Sequence, residues 1–264
     1  MLETRNFIYQ RLMKTGSTST NKFFKTFAHS MDPDQDDRCN LTHTITIGRK
    51  VGLIRHFVYN TAHERVCERE NPLNKPIYAT IRNPFDWYLS YYLHIKRKEL
   101  LYKSDLFPKY KVIGLANEYF FGYTDLPDLP TSFESFVKDY TCTKECNIGF
   151  FTHFLCDFTL KTSINNLILT RDNVYEIFDN ICGIEKFFKL ENITEMVRFF
   201  YNKGWLYDSP LVKRSLTCFG FHNNNSKTSK LYQKTKPTID YYDQEMIDLV
   251  REKDAFIFER FEYD

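Results

Sequence analysis

The sequence predicts a single α/β domain, residues 1–264, and three observations carry that expectation. Residues 6–27 and 76–101 each pass from a short β-prone apolar run through a turn into a helical repeat. With 264 residues the chain can bury one sizeable core. Aromatics make up 17%, with 25 Phe and 18 Tyr, too many for a disordered or linker-rich chain.

The elements follow in order. Phe7, Ile8 and Tyr9 read as a strand, and Phe23, Phe24 and Phe27 recur at helical spacing after a hydroxyl-rich break. Residues 32–37 form an acidic, turn-rich loop. The alternating run LTHTITI at 41–47 and the run GLIRHFVY at 52–59 are β-prone, and a helix is expected near 62–69. Residues 77–81 are a compact apolar strand of the kind buried on both faces. Arg82 ends it, Asn83 can cap a helix, and Pro84 suits the first helical position. Trp87, Leu89, Tyr91, Tyr92 and Ile95 continue that helix. Residues 102–130 read as a loop-rich insertion, 132–140 and 149–158 as short helices, 184–190 as a strand and 193–201 as a helix. A polar, basic loop at 222–236 leads into one long amphipathic helix over 238–261.

A formal charge of +2 gives no global argument for nucleic acid or a membrane surface. Locally, residues 203–236 carry seven Lys and Arg against one acid, Asp208. The 7 cysteines are an odd set without a dense framework, which favours a reducing compartment. No leader pattern follows Met1 and no apolar run is long enough to span a bilayer, so the expected location is cytoplasmic. Asn40, Asn192 and Asn224 begin glycosylation triplets that, without a leader, read as coincidence. Cys142, Cys146, His153 and Cys156 make zinc conceivable, but their spacing is not a common zinc pattern and 149–156 reads as apolar helix. No metal is expected; a Cys142–Cys146 disulfide stays open.

The chemistry concentrates in two turns. In residues 12–20, Lys14 is followed by Thr15, Gly16, Ser17, Thr18, Ser19 and Thr20 at a helix start. A helix start presents unpaired N–H groups and partial positive charge, Gly16 permits close approach, and the hydroxyls and Lys14 add donors and charge. The same residues also suit a β-to-α turn whose Ser and Thr only cap the helix. A nucleotide-triphosphate P-loop has Lys after its glycines, whereas Lys14 precedes the single Gly16. In residues 82–90, Arg82 stands at a strand's C-terminal end, where open α/β sheets place ligand contacts, and Ser90 follows eight residues later.

The order Lys-Thr-Gly-Ser-Thr-Ser resembles the 5′-phosphosulfate loop of sulfotransferases, enzymes that use 3′-phosphoadenosine-5′-phosphosulfate (PAPS). Arg82-Asn83-Pro84 with Ser90 resembles their 3′-phosphate motif. The resemblance implies a P-loop NTPase-like fold: a central, mainly parallel sheet flanked by helices on both faces. It implies sulfuryl transfer to a hydroxyl or amine, with a glycan or small molecule as acceptor, closest in style to uronyl 2-O-sulfotransferases. By that resemblance Lys14 supports the leaving phosphate oxygen, and Thr15, Gly16, Ser17, Thr18 and Ser19 line the phosphosulfate. Arg82 and Ser90 grip the 3′-phosphate, the basic loop with Ser226, Lys227 and Tyr232 closes over the donor, and His56 is the base, with His63, His94 and Glu64 as the other candidates. Two other classes stay open: a P-loop nucleotide kinase, and a non-catalytic polyanion-binding module using the basic region.

Overall fold

The computed structural model describes residues 1–28, 65–68, 71, 73–103, 132–140, 148–217 and 234–264. Four strands form one sheet in the order of the chain: β1 (Leu2–Glu3), β2 (Ile8–Gln10), β3 (Ile77–Ile81) and β4 (Lys186–Lys189). β2, β3 and β4 run parallel, with Ile8 opposite Ile77 and Thr80 opposite Phe188. β1 pairs antiparallel to β2, a short strand that the sequence pattern does not announce. Lys75 anchors it: its ammonium, nearly buried, donates to Glu3 and to the Thr4 carbonyl.

Side chains of a strand alternate between faces, and the two faces have separate cores. Ile8, Ile77, Ala79 and Ile81 join one apolar cluster, while Phe7, Tyr9, Tyr78 and Phe188 join the other. Helix α1 (Ser17–Phe27) packs on the second cluster through Phe23 and Phe24. Helix α2 (Pro84–Lys103) packs on the first through Phe85, Trp87, Tyr88 and Tyr91, and so do α3 (Phe133–Tyr140), α4 (Phe150–Thr159) and α5 (Val174–Ile181). Helices α6 (Ile193–Asn202) and α7 (Pro210–Ser215) return to the second. The fold is therefore α/β, with a mostly parallel sheet between helices. Among the described residues no helix is long and apolar enough to cross a membrane.

Several boundaries differ from the sequence expectation. Of the helix expected near 62–69 the described part is a single 3-10 turn, Val66–Glu68, held by Arg65, which bonds Glu68 and Asp157. The loop-rich stretch expected from 102 begins while α2 still runs, to Lys103. The strand candidates at 41–47 and 52–59 lie outside the described residues, as do Cys142 and Cys146.

The long helix expected over 238–261 is divided. A 3-10 turn (Thr238–Tyr241) precedes α8 (Gln244–Lys253) and α9 (Ala255–Arg260); the first break is the extended Tyr242–Asp243, where Asp243 caps α8 through the Met246 amide, and the second is at Asp254, whose backbone leaves the helical region at φ −103°, ψ 25°. At Asp254 the cause is a buried carboxylate. Asp254 is fully buried and accepts from the Tyr88 hydroxyl at 2.7 Å, the Thr152 amide at 2.8 Å and the Thr152 hydroxyl at 2.7 Å. It thereby caps α4, whose preceding residue Gly149 has no side chain to do so.

Burial pushes the Asp254 carboxyl up to about 6, against the three donors, which favour the anion. The folded state then holds a proton that the unfolded chain releases near its ordinary value of 3.8. The Asp254 contribution to stability is therefore complete below about pH 4 and is lost as pH rises through about 6. The change amounts to about 3 kcal/mol. Urea unfolding of the wild type and of Asp254→Asn between pH 4 and 7 checks this: the wild type should lose stability relative to the variant as pH rises. A constant difference across that range would contradict the direction given for Asp254.

Candidate functional site

Because β2, β3 and β4 are parallel and adjacent, the segments that follow them share one edge of the sheet. These are the loop 11–16, the Arg82–Asn83 turn, and the 3-10 turn Leu190–Asn192. This is the edge at which open α/β folds bind ligands.

The loop 11–16 is organised by its carbonyls. The Leu12 carbonyl accepts from the Thr15 hydroxyl at 3.0 Å, Met13 from the Trp87 indole N–H at 2.9 Å, and Lys14 from Arg82 Nη1 at 3.3 Å. The Thr15 carbonyl accepts from the Thr80 hydroxyl at 2.8 Å, and that of Gly16 from the Ser19 and Thr20 amides at 3.1 Å. Five successive carbonyls are thus engaged: Leu12 within the loop itself, Met13 by α2, Lys14 by the Arg82 turn, Thr15 by β3 and Gly16 by α1. In a planar trans peptide the C=O and the following N–H point oppositely, so each N–H of residues 13–17 points away from the partner of the carbonyl before it. Lys14 (φ 63°) and Gly16 (φ 74°) are both left-handed, the backbone that builds an anion-binding concavity. Glycine takes this region without strain; Lys14 costs energy there, a feature associated with functional sites. No side chain caps the start of α1, which adds its partial positive charge.

The resemblance assigns Thr15, Ser17, Thr18 and Ser19 to the phosphosulfate; in the structure the hydroxyls of this stretch divide. Thr15 is fully buried with its hydroxyl on Leu12, and Thr20 turns its hydroxyl to the Gly16 carbonyl at 3.2 Å. The Thr15 hydroxyl is therefore engaged within the fold. Thr80 donates its one hydroxyl proton to Thr15, so at 2.7 Å from Thr80 the Tyr9 phenol is the donor. Burial, pushing that phenol up to about 12, keeps it protonated. Ser17 is buried, Ser19 half-buried and Thr18 exposed.

Arg82 is half-buried beside the loop and also meets Asp86 at 3.6 Å. Asp86 in turn receives Lys234 at 3.5 Å and the Thr238 hydroxyl. The amide of Asn83 donates to Glu191 at 2.9 Å, and the other Glu191 oxygen accepts from Tyr263 at 3.1 Å. Asn83 itself caps α2 through the Phe85 amide at 2.9 Å. Ser90 stands half-buried on α2, two turns after Arg82.

The structure thus brings Lys14 to Ser19 and Arg82 to one end of the sheet, although Lys14 and Arg82 lie 68 residues apart in sequence. His56, Ser226, Lys227 and Tyr232 lie outside the described residues. So do two of the four conceivable zinc ligands; the others, His153 and Cys156, are on α4, where burial pushes the His153 imidazole down and the Cys156 thiol up. Among the described residues no group of three His, Cys, Asp or Glu is placed to hold a metal ion.

Sequence reading passed over Arg11, Thr80, Asp86, Trp87 and Glu191. Arg11 opens the loop half-buried, and its loss of solvent pushes the guanidinium down from its ordinary value. A signal for Asp86 was present, since it falls one helical turn after Arg82 and can pair with it. Nothing local in the sequence marks Trp87 or Glu191, whose partners are remote. No protein-family model, no curated protein and no solved structure matches this chain.

Proposed function

We propose that this chain is a PAPS-dependent sulfotransferase that transfers the sulfuryl group to a hydroxyl or amine of a glycan or small-molecule acceptor. The P-loop-like identity of the fold belongs to the same reading. One observation carries it: the engaged carbonyls of residues 12–16 and the uncapped start of α1 stand beside Arg82, across two adjacent parallel strand ends. That arrangement suits a ligand with two separate anionic groups, and the residue order of both turns resembles that of sulfotransferases.

In this reading the N–H groups of the loop and helix start receive the phosphosulfate, and Arg82 and Ser90 receive the 3′-phosphate. Lys14 stabilises the negative charge that grows on the phosphate oxygen as its bond to sulfur breaks. The acceptor loses its proton as its own bond to sulfur forms, and His56 is the proposed base. Ser226, Lys227 and Tyr232 of the basic loop are proposed to close over the donor. Asp86 fits this reading as the partner that holds Arg82 and Lys234 at the turn.

Adenosine 3′,5′-bisphosphate should bind without added divalent cation and raise the melting temperature. At a ligand concentration 100 times its Kd the stabilisation is about 2.7 kcal/mol. Parallel titrations with ATP and a sulfated polysaccharide separate the readings. Tighter, magnesium-dependent binding of ATP would favour a nucleotide kinase, and binding of the polysaccharide alone a polyanion-binding module.

A further inference from the structure

Met13 and Lys14 do not hold their own conformation: the groups that engage their carbonyls come from the other turn. Trp87 lies on the first two turns of α2, between Arg82 and Ser90, and is fully buried. Its ring stacks on Phe151 with centroids 4.3 Å apart and planes 8° from parallel, and on Tyr91 at 4.9 Å. The same helix is pinned elsewhere by Tyr88 on Asp254 and by the Tyr242 hydroxyl on the Phe85 carbonyl at 2.6 Å. A ring so packed has no freedom to follow a moving partner, so its N–H, 2.9 Å from the Met13 carbonyl, is a fixed point. The residue after that fixed point is Lys14, whose left-handed backbone (φ 63°) is unfavourable for a non-glycine residue. Such a conformation persists only where the surroundings impose it.

We propose that Trp87 is a positioning residue for Lys14: its indole N–H, with Arg82 on the next carbonyl, imposes the turn that places the Lys14 ammonium in the loop. This rests on the donor-binding reading and deepens it, because the element assigned to one phosphate then sets the cation assigned to the other. A packing role alone would stabilise the fold without any special dependence on Lys14, and that difference can be measured.

The experiment is a double-mutant cycle read by calorimetric titration with adenosine 3′,5′-bisphosphate. The proteins are the wild type, Trp87→Phe, Lys14→Ala and the double variant. Trp87→Phe removes the N–H and keeps an aromatic ring; a variant carrying 3-benzothienylalanine at 87 removes the N–H and keeps the full shape, should the smaller ring not fold. Losing one hydrogen bond that fixes the loop should weaken binding about fivefold in the wild-type background. In the Lys14→Ala background the same change should weaken it by less than about twofold, since the group being positioned is gone. Equal weakening in both backgrounds, or none in either, overturns the proposal while leaving the donor reading intact. Failure of the wild type to bind the bisphosphate overturns both.

Discussion

Lys14→Ala is expected to lower the rate of PAPS-dependent sulfuryl transfer on the order of 10²–10³-fold, while weakening adenosine 3′,5′-bisphosphate binding only about tenfold. The asymmetry follows from when the charge appears. The oxygen that Lys14 is proposed to face bears only part of its final charge in the bound donor and gains the rest as the sulfur–oxygen bond breaks. An interaction that strengthens along the reaction lowers kcat more than it raises KM. Arg82→Ala should behave in the opposite way, raising the donor KM strongly with a smaller effect on kcat, because the 3′-phosphate does not react. Arg82 has a second task at the Lys14 carbonyl, so some loss of kcat is expected there too. Steady-state rates over a range of donor concentrations, with candidate glycan acceptors, separate the two patterns. If both substitutions changed only KM, Lys14 would have no role in the chemical step.

Gly149→Ala is expected to destabilise the protein by roughly 3 kcal/mol, the sum of overpacking and a disturbed hydrogen-bond cluster. The Gly149 backbone is ordinary, at φ −71° and ψ 156°, so alanine has no conformational objection to it. The objection is steric: a Cβ at 149 would lie 2.3 Å from Cγ and Oδ1 of Asp254 and 2.4 Å from Oδ2. That carboxylate is short and held by Tyr88 and Thr152, so it cannot swing aside without breaking the cap on α4. Gly204→Ala is the control. Gly204 is left-handed at φ 68° with nothing within 4 Å of an added Cβ, so the backbone term of about 1–2 kcal/mol acts there alone. A smaller melting-temperature loss for Gly149→Ala than for Gly204→Ala would show that the Asp254 cluster can relax.

The sequence by itself determined the parts whose causes are local. Ile77–Ile81 is a compact, mainly apolar run of the buried kind, which suits a central strand; Arg82 ends it; Asn83 and Pro84 start the next helix by capping and by a fixed φ. The apolar run before Lys14 and the Phe spacing after Gly16 likewise specify strand, turn and helix. Both candidate phosphate turns were legible for that reason. Tertiary structure decided whatever depends on a remote partner. The helical pattern over 238–261 continues across Asp254, and only the packing of Tyr88 and Thr152 against its carboxylate makes that residue a break. Thr15 has a hydroxyl available to any ligand until Leu12 and Thr80 enclose it. Trp87 reads as one more aromatic on an apolar face, and its donor acquires meaning only when parallel pairing of β2 and β3 brings the Met13 carbonyl within 2.9 Å. Hydrogen-bond partners 74 or 166 residues away, as for Trp87 and Tyr88, leave no period and no motif in the chain. Periodicity reports which face of an element is buried; which atom meets it there is set by the packing of all the others.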